Sequence, residues 1–273
     1  MTIAAGFICA DGIILAADTQ YTVGSTKTNG DKIYDVIGDG DYRLILAGAG
    51  DVPYIRMTAD KLISNLVSKT LHSVSDLVGV IGSTVEWVHK KHIFPHPPDQ
   101  YGNKPQVQLL VAIHSPEGLK LLASNSTAVF NVIDHQVLGS GVEIASYVLD
   151  RLKGQGYDIP TIEILATYVI AVAKRYDNYC GGDTRLVTLH RDGRIERNTP
   201  AITETWLSIF EETVDMIMIP SANLAEDDNG IPPLVDFLKD TIIKWRSDRR
   251  EQIARAEEAK KRAAEKAPKS NLS

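Results

Sequence analysis

The feature that most constrains the fold of this chain is the order in which strand-like and helix-like hydrophobic patterns follow one another along the sequence. Apolar residues alternate over about the first fifty residues and then recur near every 3.6 residues, as on an amphipathic helix. The same change occurs again after about residue 140, and a short alternating segment follows near residue 190. Strand blocks and helix pairs segregated in this way favour an α+β fold over an alternating parallel sheet. We therefore predict a four-layer αββα sandwich, in which two antiparallel sheets pack together and a helix pair covers each outer face.

Turn residues and helix caps set the boundaries of the predicted elements. Asp11-Gly12 and Asp192-Gly193 are hairpin signals, and Ser73 or Ser75 is a suitable N-cap. The predicted strands cover residues 3–9, 13–17, 32–37, 43–47, 107–114, 119–123, 129–137, 185–190 and 194–197. The predicted helices cover residues 54–67, 74–92, 142–152 and 161–176.

The composition changes near residue 220, which predicts two parts in the 273-residue chain. Residues 1–220 form the predicted sandwich domain, and residues 221–273 form a helical extension. A helix at 234–245 has one apolar face, which we expect to dock on the body or on a neighbour. From Arg246 onward the chain is almost entirely Arg, Glu, Lys and Ala, which predicts a solvated helix that frays into a disordered tail by Pro268.

Charge and cysteine content exclude several classes of function. The net charge is −6, and the basic stretch at 246–269 is interleaved with Glu, so a solvated tail is favoured over a nucleic-acid surface. Two cysteines do not form a disulfide framework, which predicts a reducing, cytoplasmic compartment. The start lacks a secretory signal, and no apolar run approaches the roughly 20 residues that span a bilayer.

Thr2 is the first candidate for chemistry because it follows Met1 directly and precedes a predicted strand. Removal of Met1 would give Thr2 a hydroxyl nucleophile and a free α-amine that can act as its general base. An α-amine has an ordinary pKa of about 7.7–8.0, so a modest lowering makes it a usable base at neutral pH.

Three further segments combine polar residues with tight turns. Asp18 ends an apolar strand and needs a partner, for which Lys32 is the candidate, although the two could form a plain buried ion pair. Residues 138–141 form a small-residue turn before a helix, which could be an ordinary helix start. Residues 176–182 place an acid, a thiol and two glycines after a helix, which could be an ordinary C-cap and turn.

Taken together, these segments resemble the proteasome β-subunit family of N-terminal nucleophile hydrolases. The resemblance runs from Thr2 to about residue 200. It includes the spacing from Thr2 to Asp18, the Lys-Ile pair at 32–33, and the segment 46–51 before the first helix. Gly139-Ser140-Gly141, followed by Tyr147-Val148-Leu149-Asp150, and Asp177-x-x-Cys180-Gly181-Gly182 complete it.

The resemblance implies a role for each of five residues. Thr2 resembles the nucleophile, Lys32 the lysine that polarises its hydroxyl, and Asp18 the acid that orients this lysine. A nearby cation favours the alkoxide and lowers the proton affinity of the Thr2 amine. Ser140 and Asp177 resemble the residues that hold the terminal amine and a proton-relaying water.

The resemblance also implies an oxyanion donor and shows departures from the family pattern. The backbone N–H of Gly48 resembles the oxyanion donor. Cys180 stands where the family usually has serine, whose hydroxyl is the better hydrogen-bonding group, so we expect a more loosely held amine. The loop from Asp18 to Lys32 is about two residues shorter than usual. Many family members cut off a propeptide before the threonine, whereas here we expect removal of Met1 to suffice for maturation.

A first specificity pocket is implied by the same resemblance. Its lining residues would be Tyr21, Gly30, Tyr34, Leu46 and Gly50. Leu46 at the base predicts an apolar substrate side chain, and Tyr34 would narrow the pocket.

The implied activity is a threonine-type peptide hydrolase that acts through an acyl ester on Thr2 and needs no cofactor. Its substrates would be peptides or unfolded proteins, and its assembly a homo-oligomeric ring with an ATPase or regulatory partner. The alternatives are a non-catalytic ring subunit, a related amidase or acyltransferase acting on a small amide, and an interaction protein that uses the charged tail. The five matching residues argue against the non-catalytic subunit.

Three histidines have a spacing that raises the question of a metal. His89, His92 and His96 surround the end of the second predicted helix and the Pro-rich loop that follows. No acidic or cysteine ligand accompanies them, so a solvated loop is favoured over a metal site.

Overall fold

Two five-stranded antiparallel sheets form the centre of the fold. The computed structural model describes residues 2–23, 26–37, 42–67, 73–152, 156–208 and 210–211. Its strands are β1 Ile3–Ile8, β2 Gly12–Asp18, β3 Gln20–Val23, β4 Thr26–Asn29, β5 Ile33–Ile37, β6 Arg43–Gly50, β7 Val107–Ser115, β8 Gly118–Asn125, β9 Ala128–Asn131, β10 His135–Gly139, β11 Thr184–His190 and β12 Ile195–Arg197. The first sheet has the order β10-β1-β2-β11-β12, the second has the order β5-β6-β7-β8-β9, and β3 and β4 form a separate ribbon.

Two helix pairs cover the outer faces of the sheets. The helices are α1 Val52–Val67, α2 Val74–Val88, α3 Val142–Leu152 and α4 Ile159–Tyr176. The Ser73 hydroxyl caps α2 by accepting a hydrogen bond from the Asp76 N–H, and a π-helical turn at His89–Ile93 continues this helix. Asp158 caps α4 in the same way, so this helix begins before the Pro160 that marked its predicted start.

Three separate apolar cores confirm the predicted four-layer sandwich. Successive residues of β2 point to opposite faces, as the pleat of a strand requires. Ile14 and Ala16 pack with α3 and α4, whereas Ile13 and Leu15 pack against the second sheet. The third core lies between the second sheet and the pair α1 and α2. Both faces of β2 are therefore buried, and this places its terminal residue Asp18 deep in the fold.

The sequence prediction of one strand at residues 129–137 is wrong. The segment forms β9 in the second sheet and β10 in the first, with residues 132–134 crossing between the sheets. Its apolar residues continue through the crossing because Val132 is buried between the sheets, so periodicity gave no sign of a break. The ribbon β3–β4 and a helical segment at 200–208 were not predicted.

Predictions for the C-terminal part, including the helix at 234–245, lie outside the described residues. None of the helices in the described part of the chain is long and apolar enough to cross a membrane.

Candidate active site

Strand pairing brings Thr2 and Asp18 together. In the antiparallel pair of β1 and β2, Ala4 lies opposite Ala17, so the start of β1 meets the end of β2. Thr2 is buried there, and its hydroxyl donates a hydrogen bond to Asp18 Oδ1 at 2.7 Å. Its carbonyl accepts a hydrogen bond from the Ser140 N–H at 2.9 Å, which ties it to the end of β10.

Lys32 completes the group from the other sheet, where it precedes β5. Its side chain is 1% exposed, and Nζ forms an ion pair with Asp18 Oδ1 at 2.6 Å. Nζ also donates a hydrogen bond to Thr2 Oγ1. The Thr2 hydroxyl therefore donates to the acid and accepts from the lysine, so the pair is more than a plain buried ion pair.

Hydrogen bonds compensate the buried carboxylate of Asp18. Besides Thr2 and Lys32, the Ile3 N–H donates to Oδ1 and the Gly181 N–H donates to Oδ2, each at 3.0 Å. A buried charge is tolerated when it is paired and hydrogen-bonded, and both conditions hold here. The acid is thereby fixed in one orientation toward Thr2.

Burial lowers the pKa of Lys32, and the charge of Asp18 and its hydrogen bond oppose this effect only in part. Lys32 Nζ also lies 5.0 Å from the centre of the Tyr21 ring. Because Lys32 Nζ donates to Thr2 Oγ1, this group is placed to polarise the Thr2 hydroxyl.

A second polar group lies next to Thr2. The Ser140 hydroxyl is 3.4 Å from the Thr2 carbonyl and 3.8 Å from Cys180 Sγ. Cys180 Sγ donates to Asp177 Oδ2 at 3.2 Å, and the Tyr179 N–H donates to Asp177 Oδ1 at 2.9 Å. The structure thus brings Ser140, Asp177 and Cys180 together beside Thr2, as the sequence predicted. Their roles toward a free amine remain a prediction.

The thiol of Cys180 stays protonated and serves as a donor. Burial raises its pKa to about 12, and the nearby charge of Asp18 and the hydrogen bond to Asp177 act in the same direction. Burial by itself would raise the pKa of Asp177, but hydrogen bonds from Ser140, Tyr179 and Cys180 lower it below its ordinary value. Cys180 is therefore a neutral, weak donor to the Asp177 carboxylate.

Replacing Cys180 tests this interpretation through the titration of Asp177. Cys180→Ala removes one donor, so the pKa of Asp177 should rise toward its ordinary 3.8, whereas Cys180→Ser should keep it low. The stabilisation that comes from this lowered pKa is complete above the ordinary value and is lost as the pH falls through the folded-state value. Carboxyl ¹³C NMR titration measures the shift. Equal titration of both variants would contradict the assigned donor role.

Gly139 has a conformation and a contact that both require glycine. Its φ is +101°, and a Cβ there would lie 2.0 Å from the Thr2 carbonyl oxygen. The absence of a side chain at Gly139 thus allows the strand that carries Thr2 to pass closely.

Gly139→Ala should lower the free energy of unfolding more than Gly118→Ala. Gly118 is a matched control because its φ is +112° and an added Cβ would meet nothing within 4 Å. Both variants carry the strain of a positive φ, about 1–2 kcal/mol. Gly139→Ala adds a clash worth at least about 1 kcal/mol. Chemical denaturation measures the difference, and equal losses would show that the Thr2 contact contributes nothing.

The N–H of Gly48, the predicted oxyanion donor, has a partner within the protein. It donates to the Lys32 carbonyl at 3.2 Å. A Cβ at Gly48 would lie 2.3 Å from Ile55 Cγ2, so the packing of α1 also requires glycine here. The catalytic role of Gly48 stays a proposal.

A cavity of about 400 Å³ opens beside Thr2 and Ser140. Of the predicted pocket residues, it includes Gly50 but not Tyr21, Gly30, Tyr34 or Leu46. Leu46 is fully buried in the core under α1 and α2, and the Tyr21 hydroxyl donates to the Asp31 carbonyl. These residues therefore lie outside the lining of the cavity that the structure shows.

Sequence reasoning missed a second lysine near the acid. Lys174 Nζ donates to Thr184 Oγ1 at 3.1 Å, and Thr184 lies opposite Asp18 in the pairing of β11 with β2. Burial lowers the pKa of Lys174, and the charges of Asp18 and Asp183 oppose this effect. The sequence signal that could have identified Lys174 is its position one helical turn before Asp177.

The three histidines take part in packing around the end of α2. The His89 ring is hydrogen-bonded to the Val85 carbonyl, and the His92 ring contacts Trp87 and Tyr54. Within the described ranges, no group of three or more His, Cys, Asp or Glu side chains is placed to hold a metal ion.

Comparison with known proteins points to proteasome-like proteins. No family model matches the chain. It is 24% identical over 195 residues to the proteasome subunit beta of Methanosphaera stadtmanae, a match that covers 70% of this chain and 88% of that subunit. The structure of Anbu, described as an ancestral beta-subunit, from Yersinia bercovieri superposes with a TM-score of 0.67 at 14% identity, covering 80% of this chain and 97% of that one. The chain has the Anbu fold.

A further Anbu structure, from Pseudomonas aeruginosa, is described as a helical assembly. It superposes with a TM-score of 0.64 at 16% identity, over 78% of this chain and 95% of that one. At these identities the structural comparisons establish the fold, and the weak sequence match supports the proteasome-like group.

Proposed function

We propose that this protein is a threonine-type peptide hydrolase whose nucleophile is Thr2 after removal of Met1. The supporting observation is the shared Thr2 hydroxyl, which donates to Asp18 and accepts from Lys32 in a buried site. A subunit with only a structural role needs no buried lysine aimed at a hydroxyl, since burial of a charged pair gives little stability by itself.

The proposed reaction proceeds through an ester. The Thr2 oxygen attacks a substrate carbonyl carbon while its proton passes to the free α-amine, with Lys32 stabilising the developing negative charge on oxygen. The amine then gives that proton to the departing amine of the substrate, and the C–N bond breaks. Water attacks the resulting ester by the same proton route, which releases the acid and restores the Thr2 hydroxyl.

Three residues would support the amine, and Gly48 would support the oxyanion. Ser140, Asp177 and Cys180 form the polar group that would hold the amine and one water. The Gly48 N–H would exchange its 3.2 Å bond with the Lys32 carbonyl for one to the substrate oxygen. Such a donor has its greatest effect on the charge that forms in the transition state.

We also propose a homo-oligomeric assembly that admits peptides or unfolded chains. Proteasome subunits and an Anbu helical assembly are among the similar proteins, which supports self-association. An ATPase or regulatory partner would deliver folded substrates. A reducing compartment such as the cytoplasm suits the free thiols of Cys9 and Cys180.

The domain boundary near residue 220 also stays part of the proposal, with residues 221–273 as a helical extension. Its apolar face at 234–245 would dock on the body or on a neighbouring subunit.

A hydrolysis assay separates the candidate functions. The purified chain should cleave unstructured peptides faster than simple primary amides, because the cavity of about 400 Å³ at Thr2 has room for more than a small acyl group. Preference for a small amide would favour the amidase, and no hydrolysis of either would favour the non-catalytic subunit. Light scattering tests the assembly in the same sample, and a monomer would contradict it.

A further inference from the structure

The cavity beside Thr2 is lined by residues that continue the inward-facing rows of the core between the two sheets. In β7, Gln108 lies on the same face as Leu110 and Ala112, which pack between the two sheets. Asn125 continues the inward row of β8 after Leu121 and Ala123. The apolar rows of this inner core therefore end in carboxamides where the sheets open.

The first sheet contributes a third carboxamide from the opposite wall. In β10, Gln136 shares the inward face with Leu138, which belongs to the same core. Gln108, Asn125 and Gln136 all line the cavity, together with Thr2 and Ser140. None of the described residues that line it has a charged side chain.

The wall that carries Gln108 is held in place by two hydrogen bonds between Gln106 and Asp51. The Gln106 N–H donates to Asp51 Oδ2, and the Asp51 N–H donates to the Gln106 carbonyl, both at 2.8 Å. Gly50 has a φ of +116°, and a Cβ there would lie 2.1 Å from the Gln106 carbonyl oxygen. This side of the cavity is therefore bounded by a turn that the Gln106–Asp51 hydrogen bonds and the close packing at Gly50 hold in place.

Resting on the proposed function, we propose that this cavity is a substrate subsite for an extended, uncharged peptide segment. Carboxamides both donate and accept hydrogen bonds, so they match peptide groups and neutral polar side chains such as Gln, Asn and Ser. A volume of about 400 Å³ falls within the roughly 300–1,000 Å³ range of ligand pockets. The absence of lining charges disfavours Glu, Asp, Lys and Arg at the bound positions, because each would lose water without gaining a partner.

Binding to an inactive variant tests the subsite without relying on hydrolysis. The full chain carrying Thr2→Ala is titrated into three fluorescein-labelled heptapeptides that differ only in having Gln, Glu or Lys at the variable positions. The Gln peptide should bind most tightly in fluorescence anisotropy. Adding Gln108→Glu to the Thr2→Ala chain should weaken binding of the Glu peptide relative to the Lys peptide. The ratio of the Glu-peptide Kd to the Lys-peptide Kd should therefore rise by at least about fivefold.

Gln136→Glu is the second variant, since it places the charge on the opposite wall, and Gln100→Glu is the matched control in an exposed loop. Gln136→Glu should move the ratio in the same direction, and Gln100→Glu should leave it unchanged. The subsite is refuted if no peptide binds saturably or if both cavity variants leave the ratio unchanged. Peptide binding that responds as expected, in a protein whose wild type does not hydrolyse peptides, would refute the proposed hydrolase and retain the subsite.

Discussion

Thr2→Ala is expected to lower the turnover number for peptide hydrolysis by about 1,000-fold or more. Loss of a covalent nucleophile removes the whole two-step route, and comparable losses in hydroxyl-dependent hydrolases reach this size. Thr2→Ser should keep measurable turnover, because serine retains both the hydroxyl and the α-amine. Steady-state kinetics with a fluorogenic peptide measure these changes.

The fold should survive the Thr2 substitutions. The backbone contacts of Thr2, including the hydrogen bond from the Ser140 N–H to its carbonyl, do not depend on the side chain. Thr28→Ala is the matched control, since Thr28 is exposed in β4. It should leave the turnover number unchanged. Undiminished hydrolysis by Thr2→Ala would place the nucleophile elsewhere.

Breaking the buried pair should produce the largest loss of stability. Asp18→Asn leaves the Lys32 ammonium buried without its counter-ion, and Lys32→Met leaves the Asp18 carboxylate with N–H and O–H donors only. Each single variant should lower the free energy of unfolding by about 3–5 kcal/mol, the usual size for a broken buried pair. Urea denaturation at pH 7 measures this loss.

The double variant Asp18→Asn/Lys32→Met separates stability from catalysis. It removes both charges, so its free energy of unfolding should return most of the way to that of the wild type. Its hydrolysis should stay as low as that of Lys32→Met, because no group then polarises the Thr2 hydroxyl. If the double variant recovered activity together with stability, the role of the pair would be purely structural.

The layered fold was predictable because the buried face of a helix or strand places apolar residues at a regular spacing in the sequence. The predicted helix at 142–152 agrees with α3 to the residue, and both helix pairs lie where the spacing placed them. The ribbon β3–β4 was missed because β4 is exposed throughout, so it has no apolar face to detect. The split of 129–137 between two sheets was missed because its crossing residue Val132 is itself buried.

The candidate site was predictable in part. Asp18 at the end of a buried strand required a partner, and the structure supplies Lys32 together with the Thr2 hydroxyl. The cavity could not be found in the same way. Its residues Gln108, Asn125 and Gln136 come from three strands in two sheets, and which strands are neighbours is decided by sheet order, which no local pattern encodes.

The most direct test of the account is the mass of the purified chain after treatment with an α,β-epoxyketone. This electrophile closes a ring only with a hydroxyl and an amine on the same residue. We predict that molecules lacking Met1 gain one adduct and that peptide mapping places it on Thr2. An adduct on molecules that retain Met1, or Met1-free molecules that gain none, would contradict the proposal that Thr2 supplies both nucleophile and base.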